Sequence, residues 1–213
     1  MNVEKILIAV PCMDMVSARF AQSLATLKKV GQCTVSFLIG SLIYDSRNKL
    51  AAFAVDMEAD YILWLDSDMV FMPDTLERMM AVLNEHPEID ILSGLYFRRG
   101  KPFTPVLFSK LEETSEGGLD FEDVLDLPDE LFEVAGCGFG CVLMRTECLL
   151  DLAAKEGGGV WFSPIANAGE DCAFCIRARR EGYKIYCDPN IDLGHMGYTP
   201  VTKSFYKAYE EAE

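Results

Sequence analysis

The chain has 213 residues and a mass of 23.8 kDa, half of them hydrophobic and a quarter charged. This size predicts a single domain, residues 1–213, with a core large enough to fold without disulfides. The formal charge of −15 argues against a nucleic-acid-binding protein, since such proteins need a basic surface to neutralise phosphates. The apolar stretches are too short for a transmembrane segment and the N-terminus carries no signal peptide pattern, so we expect a cytoplasmic protein.

Strands and helices are predicted to alternate through the first half of the chain. Short apolar runs bounded by Gly, Pro or Asp predict buried strands, and apolar residues at helical spacing predict helices. The predicted strands are residues 5–11, 33–39, 61–65 and 89–97, and the predicted helices are residues 17–30, 47–57 and 74–85, with Asp45 and Ser46 as caps of the second helix. Such alternation predicts an α/β fold with a mostly parallel, Rossmann-like central sheet flanked by helices.

The second half of the chain is less regular. Nine acidic residues and no basic ones lie in residues 112–130, which predicts an exposed insert, a lid-like loop or simply a solvated face. The other predicted elements are strands at residues 103–109, 141–145 and 183–187, helices at 146–155 and 170–181, a glycine loop at 136–140 and a polar tail at 201–213.

Asp66, Ser67 and Asp68 follow directly after the buried strand at residues 61–65. In open α/β sheets, ligands bind beyond the carboxyl ends of the strands. Alternation along the strand puts Asp66 and Asp68 on one side, where the two carboxylates repel each other unless a cation lies between them. Hard oxygen ligands favour Mg²⁺ or Mn²⁺, and such a metal would in turn bind a diphosphate. The alternative is that both are solvated loop residues or that Asp68 caps a turn.

Eight cysteines allow a second, different metal site. Cys172 and Cys175, together with Cys137 and Cys141, have spacings that four zinc ligands could adopt. The simpler interpretation is that these are reduced thiols filling small buried positions.

The ordered set of motifs resembles the nucleotide-sugar glycosyltransferases of the GT-A fold, closest to family 2. Pro11-Cys-Met-Asp14 resembles the family's Pro-x-x-Asn, and Asp45-Ser-Arg47-Asn48 resembles its Ala-Arg-Asn element. Asp66-Ser-Asp68 matches its metal-binding Asp-x-Asp (DxD) motif. Glu170-Asp171 is similar to the pair that opens the catalytic helix, and Arg177-Ala-Arg-Arg-Glu-Gly-Tyr183 to the motif that ends it.

The resemblance implies roles for particular residues. Residues 1–100 would form the nucleotide-binding half and residues 101–200 the acceptor-side half. Pro11, Asp14 and Arg47 would contact the nucleotide, although Arg47 could instead cover a helix surface. Asp66, Ser67 and Asp68 would bind the diphosphate, with Mn²⁺ or Mg²⁺ held by Asp66, Asp68 and His195. A hydrogen bond within a turn is the alternative for His195.

The implied reaction is transfer of a hexose-like sugar from a nucleoside-diphosphate sugar, preferably a UDP-sugar, to an acceptor hydroxyl. Asp171 is the candidate general base, with Glu170 able to exchange roles with it or to hold the acceptor. The resemblance favours inversion, and the missing Gln-x-x-Arg-Trp motif favours a non-processive enzyme. The acceptor stays open among a glycan, a lipid-linked sugar and a small molecule, and so does an oligomeric state. The alternatives are a sugar nucleotidyltransferase, although residues 12–16 lack that class's glycine-rich loop, and a non-catalytic nucleotide-sugar-binding module.

Overall fold

A computed structural model of the chain describes residues 3–156, 158–165 and 167–198. The helices are α1 (Ala18–Thr26), α2 (Ile43–Asp56), α3 (Thr75–Glu85), α4 (Glu147–Glu156) and α5 (Glu170–Arg180). The strands are β1 (Lys5–Cys12), β2 (Gln32–Ile39), β3 (Tyr61–Leu65), β4 (Met69–Val70), β5 (Ile91–Leu95), β6 (Leu107–Glu113), β7 (Leu119–Asp123), β8 (Phe132–Val134), β9 (Gly136–Cys137), β10 (Cys141–Arg145), β11 (Ile185–Asp192) and β12 (Gly194–His195). The predicted tail at residues 201–213 lies outside the described residues.

A seven-stranded sheet in the order β2-β1-β3-β10-β5-β11-β8 forms the centre of the fold. Strands β1, β2, β3, β5 and β11 run in one direction, while β10 and β8 run against their neighbours. The prediction of a mixed α/β fold around a mostly parallel central sheet is therefore confirmed. Strand β10 separates β3 from β5, so a chain segment from the second half completes the sheet of the first.

Both faces of the central sheet are covered, which explains why its inner strands are apolar throughout. All five residues of β3 are buried, with alternate side chains entering two separate core clusters. Trp64 packs with Phe139 and Phe162 on one face, and Leu63 packs with Met79 and Leu83 of α3 on the other. This two-sided burial fixes β3 firmly, so the residues after Leu65 emerge at a well-defined place on the sheet edge.

Several predicted elements differ from the structure in detail. The helix predicted at residues 17–30 ends at Thr26, and the strand predicted at residues 103–109 is β6, which begins at Leu107 and ends at Glu113. Helix α2 begins at Ile43, four residues before the predicted start, and its N-cap is Leu42 without a side-chain cap bond. Asp45 and Ser46 therefore lie inside the helix. Residues 112–123 of the acidic insert belong to the β-hairpin of β6 and β7, in a three-stranded sheet with β9, whereas residues 124–130 contain no helix or strand. The strand predicted at residues 183–187 extends to Asp192 and is followed by β12.

None of the helices in the described part of the chain combines the length and apolar character needed to cross a lipid bilayer.

Candidate functional site

A cleft of about 340 Å³ opens at the carboxyl ends of β1 and β3. Six of the predicted site residues line it: Pro11, Arg47, Asp66, Ser67, Asp68 and Glu170. Met13 and Ile43, both exposed, add apolar surface at one side. Asp14 is exposed on the loop after β1 and is not part of the lining. A larger cavity of about 520 Å³, beside Tyr61 and Arg145, lies at the opposite edge of the sheet, away from the predicted residues.

Arg47 is the buried centre of the cleft. Its side chain is only 2% exposed, and its Nη2 donates to Asp66 Oδ1 at 2.8 Å while its Nε donates to Glu170 Oε1 at 3.3 Å. The rings of Trp64, Phe139 and Phe162 lie 5.5–5.9 Å from the guanidinium carbon, a cation–π environment. Arg47 thus joins the residues after β3 to the start of α5.

The electrostatic environment of Asp66 follows from that ion pair. Burial raises the pKa of Asp66, and the charge of Asp68 adds to the rise, while Arg47 opposes it. The Asp66 side chain keeps 31% of its surface exposed, towards the cleft. One oxygen of Asp66, Oδ1, is thus held by the buried Arg47.

Strand β12 brings His195 to Asp68. The pairing of β12 with β4 sets His195 opposite Met69, and Met196 N–H donates to Asp68 O at 2.9 Å. His195 Nε2 then lies 3.5 Å from Asp68 Oδ2, while His195 Nδ1 lies 2.8 Å from Phe97 O. A backbone carbonyl can only accept, so Nδ1 carries a hydrogen; Nε2 donates to Asp68 when the ring is protonated and offers its lone pair to a cation when the ring is neutral.

Asp68 also pairs with Arg99, whose Nη1 donates to the same Oδ2 at 2.8 Å. Burial acts to raise the pKa of Asp68, but the hydrogen bond from His195 and the charge of Arg99 outweigh it, so this pKa lies below its ordinary value. In return, Asp68 raises the pKa of His195 against the effect of burial.

The donor set at this point suits a hard divalent cation only in part. A carboxylate oxygen and an imidazole nitrogen with its other nitrogen tied to a carbonyl are a recurring pair of metal ligands. Over residues 3–156, 158–165 and 167–198, however, no three Asp, Glu, His or Cys side chains are gathered as one metal-binding group. Asp66 turns to Arg47, so Asp68 and His195 are the two predicted ligands that the structure brings together.

Glu170 and Asp171 open α5 beside the cleft. Glu170 lines it and pairs with Arg47, whereas Asp171 Oδ1 accepts from Cys172 N–H at 2.7 Å and does not line it. Burial raises the pKa of Asp171, and the neighbouring charge of Glu170 raises it further. The two adjacent carboxylates therefore differ in their surroundings: Glu170 pairs with an arginine, and Asp171 accepts from the backbone at the start of its own helix.

The loop before α5 is pinned from two sides. Asn48 Oδ1 accepts from Phe162 N–H at 2.8 Å, and Arg177 Nη1 donates to Ser163 O at 2.6 Å and to Trp161 O at 3.2 Å. This explains an Asn beside Arg47: it fixes the segment that leads to the two acids.

Tyr96 is a site residue that the sequence analysis missed. It is buried directly after β5, its hydroxyl accepts from Gly140 N–H at 3.1 Å, and its ring stands edge-on to His195 with centroids 5.4 Å apart. A Cβ at Gly140 would lie 2.7 Å from Tyr96 Cζ, so this glycine makes room for the tyrosine. Tyr96 thereby occupies the space beside the backbone at Gly140. Its position at a strand end on the same sheet edge was the only available signal.

The four cysteines of the suggested zinc site do not converge. Cys141 points into the core cluster on one face of the sheet, against Met79, while Cys137, Cys172 and Cys175 belong to the cluster on the other face. Burial raises the pKa of the Cys141 thiol to about 12. These residues are core thiols, as the simpler interpretation held.

Comparisons with known proteins identify a family for the chain. The family model described as Glycosyl transferase family 2 matches residues 43–149, which is half of the chain and includes Arg47, Asp66 and Asp68. The search of curated proteins found no significant match.

Two crystal structures share the fold at low sequence identity. A197 from STIV superposes with a TM-score of 0.59 at 18% identity, over 92% of this chain and 86% of that one. GalNAc-T7 with UDP, GalNAc and Mn²⁺ superposes with a TM-score of 0.60 at 10% identity, over 98% of this chain. The alignment covers 48% of GalNAc-T7, so this chain spans about half of that protein. On the family match and the shared GT-A architecture, the chain belongs to glycosyl transferase family 2 and is a nucleotide-sugar glycosyltransferase.

Proposed function

We propose that the cleft transfers one sugar per encounter from a nucleoside-diphosphate sugar, with a UDP-sugar as the preferred donor, to an acceptor hydroxyl, with inversion and with help from Mn²⁺ or Mg²⁺. The observation that carries the proposal is the approach of Asp68 Oδ2 and His195 Nε2 to 3.5 Å, at the same sheet edge as Glu170. GalNAc-T7, which shares the fold, was crystallised with UDP and Mn²⁺.

Asp68 and His195 would supply two ligands to the metal, and the donor diphosphate would supply others. When bound, the metal would neutralise charge on the departing diphosphate. The tie from His195 Nδ1 to Phe97 O holds the ring so that Nε2 faces the site before any ligand arrives. Asp66, held by Arg47, is then left for the ribose or the sugar.

The nucleoside would lie on the apolar side of the cleft, beside Pro11, Met13 and Ile43. Both Met13 and Ile43 expose hydrophobic surface there, since the two residues are 69% and 42% exposed. An exposed methionine suits the flat face of a base, because its unbranched thioether adapts to the ring.

Asp171 would act as the general base. The bond between the anomeric carbon and the diphosphate oxygen breaks, the bond to the acceptor oxygen forms, and the acceptor's proton passes to a carboxylate. Glu170 is instead paired with Arg47. The raised pKa of Asp171 gives it a greater proton affinity than an ordinary aspartate has.

Donor hydrolysis tests the proposal without knowledge of the acceptor. Purified protein is incubated with UDP-, GDP-, CDP- and dTDP-sugars, with Mn²⁺ or with EDTA, and released nucleoside diphosphate is measured. We expect release from one donor class, only with metal, and its loss in Asp68→Asn. The matched control is Asp74→Asn, which removes the same charge from a residue at the start of α3 that lies outside the cleft. Equal release by Asp68→Asn and the wild type would refute the assigned site.

A further inference from the structure

Each carboxylate of the Asp66–Asp68 pair has an arginine of its own. Arg47 donates to Asp66 and Arg99 donates to Asp68, both at 2.8 Å. The two arginines differ sharply in burial, since the Arg47 side chain is 2% exposed and that of Arg99 is 55% exposed. Arg47 is therefore a fixed part of the core, whereas Arg99 can leave its partner at small cost.

Arg99 forms its ion pair with the same Asp68 oxygen that would bind the proposed metal. Asp68 Oδ2 is the atom that accepts from Arg99 Nη1 and faces His195 Nε2. A divalent cation held between Asp68 and His195 would meet the guanidinium charge at that oxygen. Two cations so close repel each other, so metal binding and the Arg99–Asp68 pair exclude one another.

We propose that Arg99 is an exchangeable counter-ion: it neutralises Asp68 in the free protein, gives way to the divalent cation, and then binds the diphosphate of the donor. The inference rests on the proposed function. A guanidinium fork matches phosphate oxygens in both geometry and charge. Arg99 remains the cation of the pair throughout and changes only its anionic partner.

The surroundings of Arg99 allow this movement. Its side chain lines both the cleft and an adjoining cavity of about 380 Å³, between Phe97, Phe103 and His195. Gly197 packs against its stem, and a Cβ there would lie 3.3 Å from Arg99 Cβ. The guanidinium thus stands at the boundary of two open spaces and can swing without disturbing the core.

Arg98 provides a matched control. It carries the same charge one residue earlier, but its Nη2 donates to Asp123 Oδ1 of the acidic hairpin at 2.7 Å. Arg98→Gln and Arg99→Gln therefore change the net charge equally, and only the second frees Asp68.

The first measurement is Mn²⁺ binding without nucleotide, followed by the electron paramagnetic resonance signal of free Mn²⁺. We expect the dissociation constant to fall about two- to fivefold in Arg99→Gln, the worth of an exposed ion pair, and to stay unchanged in Arg98→Gln. Unfolding midpoints without ligand, equal within about 2 °C, show that both variants are folded.

The second measurement is binding of UDP, GDP, CDP and dTDP by calorimetry at saturating Mn²⁺. For the nucleotide that the wild type binds best, we expect affinity to fall about tenfold in Arg99→Gln, the worth of a charge-assisted hydrogen bond, and to be unchanged in Arg98→Gln. Tighter binding of Mn²⁺ together with weaker binding of nucleotide in Arg99→Gln is the result expected if Arg99 exchanges its partner.

The counter-ion inference and the proposed function are refuted by different results. If the wild type binds Mn²⁺ and a nucleotide but Arg99→Gln behaves like Arg98→Gln in both measurements, the counter-ion inference is wrong and the proposed function stands. If Arg99→Gln weakens both ligands, Arg99 only shapes the site, and the exchange is likewise refuted. A wild type that binds neither Mn²⁺ nor any of the four nucleotides overturns the proposed function together with the inference.

Discussion

Replacing Arg47 by methionine would remove the only charge on that side chain while keeping much of its volume. The variant leaves Asp66 and Glu170 facing each other without their shared cation, in a setting where Arg47 itself is 2% exposed. Breaking a buried ion pair by removing one partner costs about 3–5 kcal/mol. We take the lower end, about 3 kcal/mol, because Asp66 is 31% exposed and water can solvate part of its charge.

That cost corresponds to a fall of about 6–12 °C in the unfolding midpoint for a chain of this size. Differential scanning calorimetry at pH 8 measures it. Lys49→Met is the control on the same helix: Lys49 forms an exposed pair with Asp45 and should shift the midpoint by no more than about 2 °C.

The deficit of Arg47→Met should also shrink on acidification. Without the arginine, the folded-state pKa of Asp66 rises further above its unfolded value, because Arg47 no longer opposes the effect of burial. A carboxyl group with a raised folded-state pKa costs stability while it is ionised, and the cost disappears as pH falls through that pKa. A variant within 2 °C of the wild type, or a deficit that is the same at pH 5 and pH 8, would refute the assignment of Arg47 as the cation that holds these two acids together.

Three further predictions concern the neighbourhood of the cleft. Asp171→Asn should raise the unfolding midpoint at pH 7.5 while abolishing turnover, because the raised pKa of Asp171 means that its ionised form costs stability; a lowered midpoint in calorimetry would contradict this. Asn48→Ala removes the acceptor of Phe162 N–H, which holds the loop before α5. Expressed as free energies, the loss in kcat should be at least as large as the loss in the free energy of unfolding; unchanged steady-state kinetics would show that this loop needs no such anchor. Ellman's reagent should modify at most two thiols of the native chain, Cys12 and Cys33, and eight in guanidinium; four or more in the native protein would contradict the buried positions of the other six.

The parallel half of the fold was accessible from sequence because its signals are local. Strand β3 is a five-residue apolar run that stops at Asp66, and the structure has those bounds. Strand β10 was also predicted with the bounds that the structure has, but its antiparallel place between β3 and β5 was not foreseen. A buried apolar run carries no information on strand direction or neighbours, since both are set by tertiary packing. The start of α2 was missed because Asp45 and Ser46 resemble caps, while burial of Ser46 and Arg47 extends the helix past them.

In the candidate site, too, local motifs could be predicted from the sequence and long-range contacts could not. Asp66, Asp68 and Glu170 were found because short motifs follow or open predicted elements. The pair of Arg99 and Asp68 spans 31 residues, and that of Arg47 and Glu170 spans 123. Such contacts depend on where loops leave the sheet, which no local pattern encodes. Tyr96 was missed for this reason, since only the folded chain shows its hydroxyl on Gly140 N–H.

The most direct test of a metal-assisted nucleotide site is a thermal-shift titration of the wild type and Asp68→Asn with UDP, GDP, CDP and dTDP, each with Mn²⁺ and with EDTA. A ligand at 100 times its dissociation constant stabilises the folded state by about 2.7 kcal/mol, which is a readily measured shift. We expect one nucleotide to raise the midpoint of the wild type only when Mn²⁺ is present, and Asp68→Asn to lose the shift. A shift of equal size in EDTA, or in Asp68→Asn, would contradict the metal site at Asp68 and His195, and no shift with any nucleotide would contradict the donor cleft itself.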